Sequence, residues 1–385
     1  MCCGMLTVIL QFFTFFFCFH FSISSCPPEF KELCTCGYVK YGLDRKFVTN
    51  CTDSGFDNVL MLRKMPPMTE ILVFVGNEVK DLPLNIFGQE TLYKKLHTID
   101  FSNNHIQTIK GRTFHNVGNV TKLILNDNDL YIVFKDHHPR MFSNFVNLRE
   151  LHLKNAFTER VKAGDYLNNL VQIFGNSSLK QLRVLNMENN EISGIDPGEF
   201  CFLPTLEELY MGNNRLKDLS LSFSCLTHLK FIDVGHNLIS KLSDETLQSL
   251  ETRRSLRLNL TANPFNCDCN LVNTYEWMKT TPLNLIHHDY YYCYDGFPSS
   301  NIGQSVMAIA VEDLQCDPTS VPKEYHSSAS FVVMIIGLIC LSILLSVLTY
   351  KNWPVVSNHT RRIIRPLQCK FSYVSLERQE NIMDV

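Results

Sequence analysis

The chain has no excess of either charge: 35 Lys and Arg stand against 38 Asp and Glu, a formal net of −3 over 385 residues. That balance excludes a nucleic-acid binder working through a concentrated basic surface. Charged residues amount to only 19% and apolar ones to 45%, which excludes a disordered chain and leaves ample material for a core. G-x-S-x-G, H-E-x-x-H and a phosphate-cradling glycine loop are all missing from the sequence. An enzyme, a cofactor site and a metal site are therefore not expected. His137-His138 and His287-His288-Asp289 lack a fixed partner and read as surface, while the run Tyr290–Tyr292 reads as packing.

Long apolar runs are scarce too, and the two present set the topology. Leu6 to Phe21 holds no Asp, Glu, Lys or Arg and is predominantly apolar, broken only by Thr7, Gln11, Thr14 and His20. It is followed by Ser22, Ser24 and Ser25, the pattern of a secretory signal peptide occupying 1–25. Residues 331–350 hold no charge and are long enough to cross a bilayer as a helix. Lys351, Arg361, Arg362, Arg365 and Lys370 follow this segment, whereas Lys323 alone closely precedes it, so the carboxyl-terminal side is expected to be cytoplasmic. The expectation is a single-pass type I protein of the plasma membrane, with 319–330 a juxtamembrane spacer and 351–385 a tail too short for a signalling domain. Within that tail, Met383 and Val385 form an apolar carboxyl terminus of the kind PDZ scaffolds bind, and Tyr373 with Leu376 fits an endocytic tyrosine motif.

Between the apolar runs the sequence repeats itself. The stretches from Leu182 and from Leu206 carry apolar residues at relative positions 1, 4, 6, 11 and 14, with asparagine at 9, and further apolar pairs follow at Phe200 and Leu203 in the first and Phe223 and Leu226 in the second. This is the leucine-rich-repeat signature. Sliding it along the chain gives starts near Thr69, Leu96, Val120, Leu148, Leu182, Leu206, Leu229 and Ser255. Positions 4 and 6 point inward from one short strand because strand side chains alternate. The ninth-position residues Asn77, Asn104, Asn128, Asn190, Asn214, Asn237 and Asn263 can bond backbone groups left over by the turn. Repeat four breaks this ladder at Ala156 and carries an insertion at about 156–181. There Leu167, Leu170, Val171 and Phe174 mark a helical face ended by Gly175, expected on the convex side.

A solenoid exposes apolar ends and needs caps. Cys26, Cys34, Cys36 and Cys51 fall in the segment 26–68, and Cys267, Cys269, Cys293 and Cys316 in 263–318, on either side of the repeats at 69–262. Each set allows three connectivities from sequence alone. Cys201 and Cys225 share position 20 of adjacent repeats, where lateral spacing of ~4.7–4.9 Å suits a bridge. The fold expected is α/β: a right-handed leucine-rich-repeat solenoid with disulfide-bonded N- and C-terminal caps, plus one transmembrane helix.

The third and fifth positions of each repeat should form an exposed concave surface, with Ile71 and Val73 at one end and Val184, Tyr210 and Phe231 further along as contacts for a protein partner. Extracellular N-glycosylation sequons begin at Asn50, Asn119, Asn176 and Asn259. Asn259, a fifth-position residue, should place sugar on the concave side.

The chain resembles the trophoblast glycoprotein family. The likeness rests on the capped array, the insertion midway, Asn263-Pro264 leading into Cys267-Asp268-Cys269 with Trp277, Cys316-Asp317-Pro318, the apolar span and the short tail ending Asp384-Val385. The wider spacing from Cys26 to Cys34 and the extra pair Cys201 and Cys225 depart from it. Likeness to such caps implies the pairings Cys26–Cys36, Cys34–Cys51, Cys267–Cys293 and Cys269–Cys316. It also implies dampening of Wnt signalling through a lipoprotein-receptor-related co-receptor, with adhesion to a cell-surface or matrix partner as the alternative.

Overall fold

A computed structural model describes residues 26–30, 32–132, 140–158, 163–177, 179–316 and 327–351. The signal segment, Tyr373, Leu376, Met383 and Val385 lie outside the described residues, as do His137 and His138. The chain divides into two units, 1–317 and 318–385.

The first unit is built on an eleven-stranded sheet whose strands lie in chain order. It opens with an antiparallel hairpin, Thr35–Tyr41 against Asp44–Asn50, turned at Gly42, whose φ of 62° suits a residue without a Cβ. Asp44–Asn50 then pairs in parallel with Ile71–Val73, and the parallel ladder continues through Thr98–Asp100, Lys122–Ile124, Glu150–His152, Val184–Asn186, Glu208–Tyr210, Phe231–Asp233 and Arg257–Asn259 to Asn284–Ile286. Each repeat strand is only three residues long, because the chain must leave the sheet and return to it within one repeat.

Alternation along these strands sends the fourth and sixth positions inward. Leu72 and Phe74, Ile99 and Phe101, Leu123 and Leu125, and Leu151 and Leu153 are all fully buried, in one core that runs from Phe30 to Leu314. Phenylalanines link its layers at the amino end: Phe74 meets Phe101 at 5.6 Å, and Phe114 meets Phe145 at 4.7 Å.

All seven ninth-position asparagines are buried. Asn104 is representative. Its Nδ2 donates to the carbonyl oxygens of Phe74 and Ser102, and its Oδ1 accepts the Asn77 amide at 2.9 Å. At Ala156 the missing amide is replaced by backbone. The Asn128 N–H donates to the Asn155 carbonyl, Leu130 N–H donates to the Ala156 carbonyl, and Leu130 pairs with Phe157 as an isolated bridge.

A second ladder runs beside the first. The eighth position is left-handed in every repeat, at Gly76, Asn103, Asp127, Asn155, Asn189, Asn213, His236 and Ala262. Gly, lacking a Cβ, and Asn and Asp, whose short polar side chains bond locally, reach this region at low cost, whereas Ala262 has neither advantage and is strained there.

The insertion forms a helix, Ala163–Ser177, that buries Leu167, Leu170, Ile173 and Phe174. It runs through Gly175 instead of ending there. A Cβ at Gly175 would sit 3.2 Å from the Phe202 ring, so glycine serves close packing and not termination.

The caps are covalently closed. Cys26–Cys36 and Cys34–Cys51 tie the amino-terminal hairpin, and Cys267–Cys293 and Cys269–Cys316 tie the carboxyl-terminal cap. Cys201–Cys225 joins two adjacent repeats with Cα atoms 5.3 Å apart. In the carboxyl-terminal cap the helix Val272–Thr280 buries Tyr275, Trp277 and Met278. Of the tyrosine run only Tyr291 packs, its hydroxyl donating to the Ile286 carbonyl and accepting the Leu260 amide; Tyr290 and Tyr292 are exposed, because the turn at 288–290 sends them outward on either side of it.

In the second unit Ser327–Lys351 is a helix of 25 residues. Among the described residues no helix is long and apolar enough to cross a membrane. The side chains of 327–334 and 349 lie outside those described.

Candidate functional site: the concave sheet

Strand register turns the third and fifth positions into two rows on the open face of the sheet. At the amino end the third-position row of this face is closed. Ile71, expected to be exposed, is 2% exposed, wedged between its register neighbours Val48 and Thr98. Thr98 is buried as well, so in the third-position row the accessible surface begins at Lys122, whereas Asn50, Val73 and Asp100 in the fifth-position row stay part-exposed.

From there the face carries charge in facing pairs. Lys122 Nζ lies 2.7 Å from Glu150 Oε2, its register partner, and His152 Nε2 lies 3.3 Å from the same oxygen. Burial alone would raise the Glu150 carboxyl, but the hydrogen bonds from Lys122 and His152 hold it below its ordinary value. Burial depresses the His152 imidazole, with Lys122 adding to the effect and Glu150 and Asp100 opposing it. One strand on, Lys154 Nζ is 3.6 Å from Glu188 Oε2, which also accepts from Asn186 Nδ2. Such half-exposed pairs contribute at most about 1 kcal/mol each to stability. Their consequence is a patterned surface whose charges are already neutralised and positioned.

Towards the carboxyl end the face becomes aromatic. Tyr210 and Phe231 meet edge to face, centroids 5.1 Å apart, and the Arg257 guanidinium covers Phe231 at 5.0 Å. The Tyr210 hydroxyl donates to Glu208 Oε2 at 2.7 Å, and burial together with that carboxylate pushes its pKa up to about 12. The phenol is therefore a fixed donor with an open ring flank. Val184 is half-buried in the adjoining strand, next to Glu208 in register. The sequence reading found Val184, Tyr210 and Phe231 but missed Arg257 and Glu208. Reading the third position of every repeat, whatever the residue type, would have found both.

Among the described residues no group of His, Cys, Asp and Glu could hold a metal ion. Of the sequon asparagines, Asn50 and Asn259 end strands of the concave sheet. Asn119 is exposed in a loop, and Asn176 is exposed near the end of the insertion helix.

Comparison with known proteins agrees with this architecture. A family model described as leucine rich repeat matches residues 164–216, and one described as leucine rich repeats (2 copies) matches 204–252. Trophoblast glycoprotein of Macaca fascicularis is 24% identical over 324 residues, 81% of this chain and 73% of that protein. The chain resembles trophoblast glycoprotein. A shorter likeness is to lumican of Gallus gallus, 30% identical over 167 residues, 43% of this chain and 42% of that one. In fold, the chain is similar to the crystal structure of human 5T4 (Wnt-activated inhibitory factor 1, trophoblast glycoprotein), with a TM-score of 0.62 at 23% identity, covering 70% of this chain and 94% of the other. The relatives are cell-surface or extracellular leucine-rich-repeat proteins.

Proposed function

We propose that the chain is a cell-surface glycoprotein that binds a protein partner through its concave sheet and thereby modulates signalling, with inhibition of Wnt signalling as the specific reading. The observation that carries the binding role is the Tyr210–Phe231–Arg257 cluster on an otherwise charged face. Aromatic residues and arginine dominate the energetics of protein interfaces, and here they are held rigid before any partner arrives. The Wnt reading is supported by the likeness to trophoblast glycoprotein, one relative of which is titled Wnt-activated inhibitory factor 1.

On this reading the anchor is the segment 331–350, supported by its uncharged sequence, part of which lies outside the side chains described. At 1.5 Å per residue it measures about 30 Å, the thickness of a bilayer core. PDZ-domain recognition of Met383 and Val385 and adaptor recognition of Tyr373 and Leu376 are the proposed routes inward.

Two measurements test the reading. Proximity labelling from the ectodomain on living cells should mark one extracellular or cell-surface protein, a Wnt co-receptor on the specific reading. Loss and overexpression should move a Wnt reporter in opposite directions. A reporter that stays flat while cell aggregation changes would replace signalling with adhesion as the function.

A further inference from the structure

Two of the four sequons occupy equivalent places at opposite ends of the concave sheet. Asn50 pairs in register with Val73, and Asn259 with Asp233. The registers put both asparagines in the fifth-position row that also contains His152 and Tyr210. Eight strand spacings separate them, about 38 Å along the sheet.

Their local geometry matches as well. Asn50 Oδ1 accepts from the backbone N–H of Thr52 at 3.0 Å and from its hydroxyl at 2.6 Å; Asn259 Oδ1 does the same with Thr261 at 3.1 and 2.8 Å. The sequon threonine holds the oxygen, and at Asn259 the other amide atom, Nδ2, which takes sugar, donates to Asp233 Oδ1 in the neighbouring strand of the same row at 3.0 Å. By register, a glycan on Asn259 starts one strand from Phe231 and two from Tyr210. The surroundings leave room for it. Between Val75 and Thr261 the seventh-position row lacks side chains only at Gly212 and Gly235, next to this sequon. A Cβ at Gly235 would stand 3.1 Å from Asn259 Nδ2 and 3.0 Å from Thr261 Oγ1. The other two sequons differ: Asn119 Nδ2 donates to the Lys94 carbonyl and Asn176 Nδ2 to the Gln172 carbonyl, both away from the concave rows.

We infer that N-linked glycans on Asn50 and Asn259 fence the concave sheet at its two ends. The Asn259 glycan borders the Tyr210–Phe231 cluster, and a protein partner enters only over the strands between the two sugars. A large hydrophilic sugar at each end excludes any partner surface that lies along the whole sheet. The consequence for the partner rests on the binding role proposed above, whereas the fence itself does not.

The test needs no partner, so the two ideas fail separately. The full chain is produced in secretory cells, and occupancy is read by peptide mass spectrometry after enzymatic deglycosylation in isotopic water. Hydroxyl-radical footprinting then compares native protein, Asn259→Gln, Asn50→Gln and Asn119→Gln. Native-state enzymatic deglycosylation of the unsubstituted chain covers the case in which a variant misfolds. Both concave asparagines should carry sugar. Asn259→Gln should raise labelling of Tyr210 and Phe231 by roughly twofold or more, Asn50→Gln should raise that of Val73, and Asn119→Gln should raise none of these. Unmodified Asn50 or Asn259 in surface protein, or labelling that does not change when their sugars are removed, overturns the inference.

Discussion

Asn190 and Asn214 are joined across adjacent repeats: the Asn190 backbone N–H donates to Asn214 Oδ1 at 3.0 Å. The same oxygen receives the Ile192 N–H at 3.0 Å, and Asn214 Nδ2 donates to the carbonyl oxygens of Met187 and Met211, both at 3.0 Å. With the Gly212 carbonyl at 3.3 Å, one buried amide thus serves five backbone groups in two repeats. Asn214→Ala leaves the Asn190 and Ile192 N–H groups and the Met187 carbonyl without this partner, while the Met211 carbonyl keeps Asn237 Nδ2 at 3.0 Å. Since each such group costs about 1–3 kcal/mol, with local relaxation recovering part, a loss of about 2–4 kcal/mol is expected. Asn213→Gly, one residue earlier at an exposed left-handed position, should change stability by less than about 0.5 kcal/mol. Denaturant unfolding of the two variants side by side checks the contrast.

Ala262 is strained. It holds φ at 53° in the eighth-position row, where the other repeats use Gly, Asn, Asp or His. Ala262→Gly should raise stability by about 1 kcal/mol, seen as a higher melting temperature, and Ala262→Val should lower it. A glycine variant no more stable than the parent would show that the strain is absorbed elsewhere.

The Cys201–Cys225 bridge closes a loop of 24 residues between neighbouring repeats. Replacing both cysteines by alanine should cost about 2–4 kcal/mol, chiefly by freeing the unfolded chain. The sheet register on either side is held by its own hydrogen bonds, so circular dichroism of the folded variant should match the parent.

His152 gives the concave face a pH dependence. Its folded-state pKa lies below the ordinary 6.5 because of burial. Below that ordinary value the unfolded chain therefore takes up a proton that the folded chain refuses, and stability falls as pH drops. Glu150, held low, stays ionised through this range and protonates only under more acidic conditions. The melting temperature should decline between pH 7 and about pH 5, and His152→Gln should flatten that decline. His97, lowered mainly by burial and further by Lys46 against the opposing pull of Glu70, accounts for a remaining slope. Equal slopes in parent and His152→Gln would contradict the assignment.

How far the sequence could be read depended on whether a residue's role repeats. The inward leucines and the buried asparagines recur at fixed intervals, so one repeat explains the next. The cap cysteines bracket the array, and Tyr210 with Phe231 follow from register alone. What escaped notice was local. The left-handed row mixes Gly, Asn, Asp, His and Ala, because it is set by backbone dihedral and not by side-chain polarity. Ala156 reads as a gap, yet backbone carbonyls fill it. Gly175 resembles a helix stop but makes room for Phe202. Ile71 occupies an outward position and is buried by its neighbours on the adjoining strands, and Tyr290 and Tyr292 flank a tyrosine that packs without packing themselves. At Ala156, Gly175 and Ile71 the deciding contact comes from a different part of the chain, where the repeat pattern carries no signal.

The concave sheet as the protein-binding surface is the central claim, and site-specific photocrosslinking tests it most directly. A photoreactive residue replaces Lys154 on the concave face or Gln172 on the insertion helix, in the full chain displayed on living cells. The account predicts a covalent adduct with an extracellular protein from position 154, lost with Tyr210→Ala/Phe231→Ala, and none from position 172. An adduct from position 172 with none from 154, or one from 154 that survives loss of both aromatic rings, would contradict it.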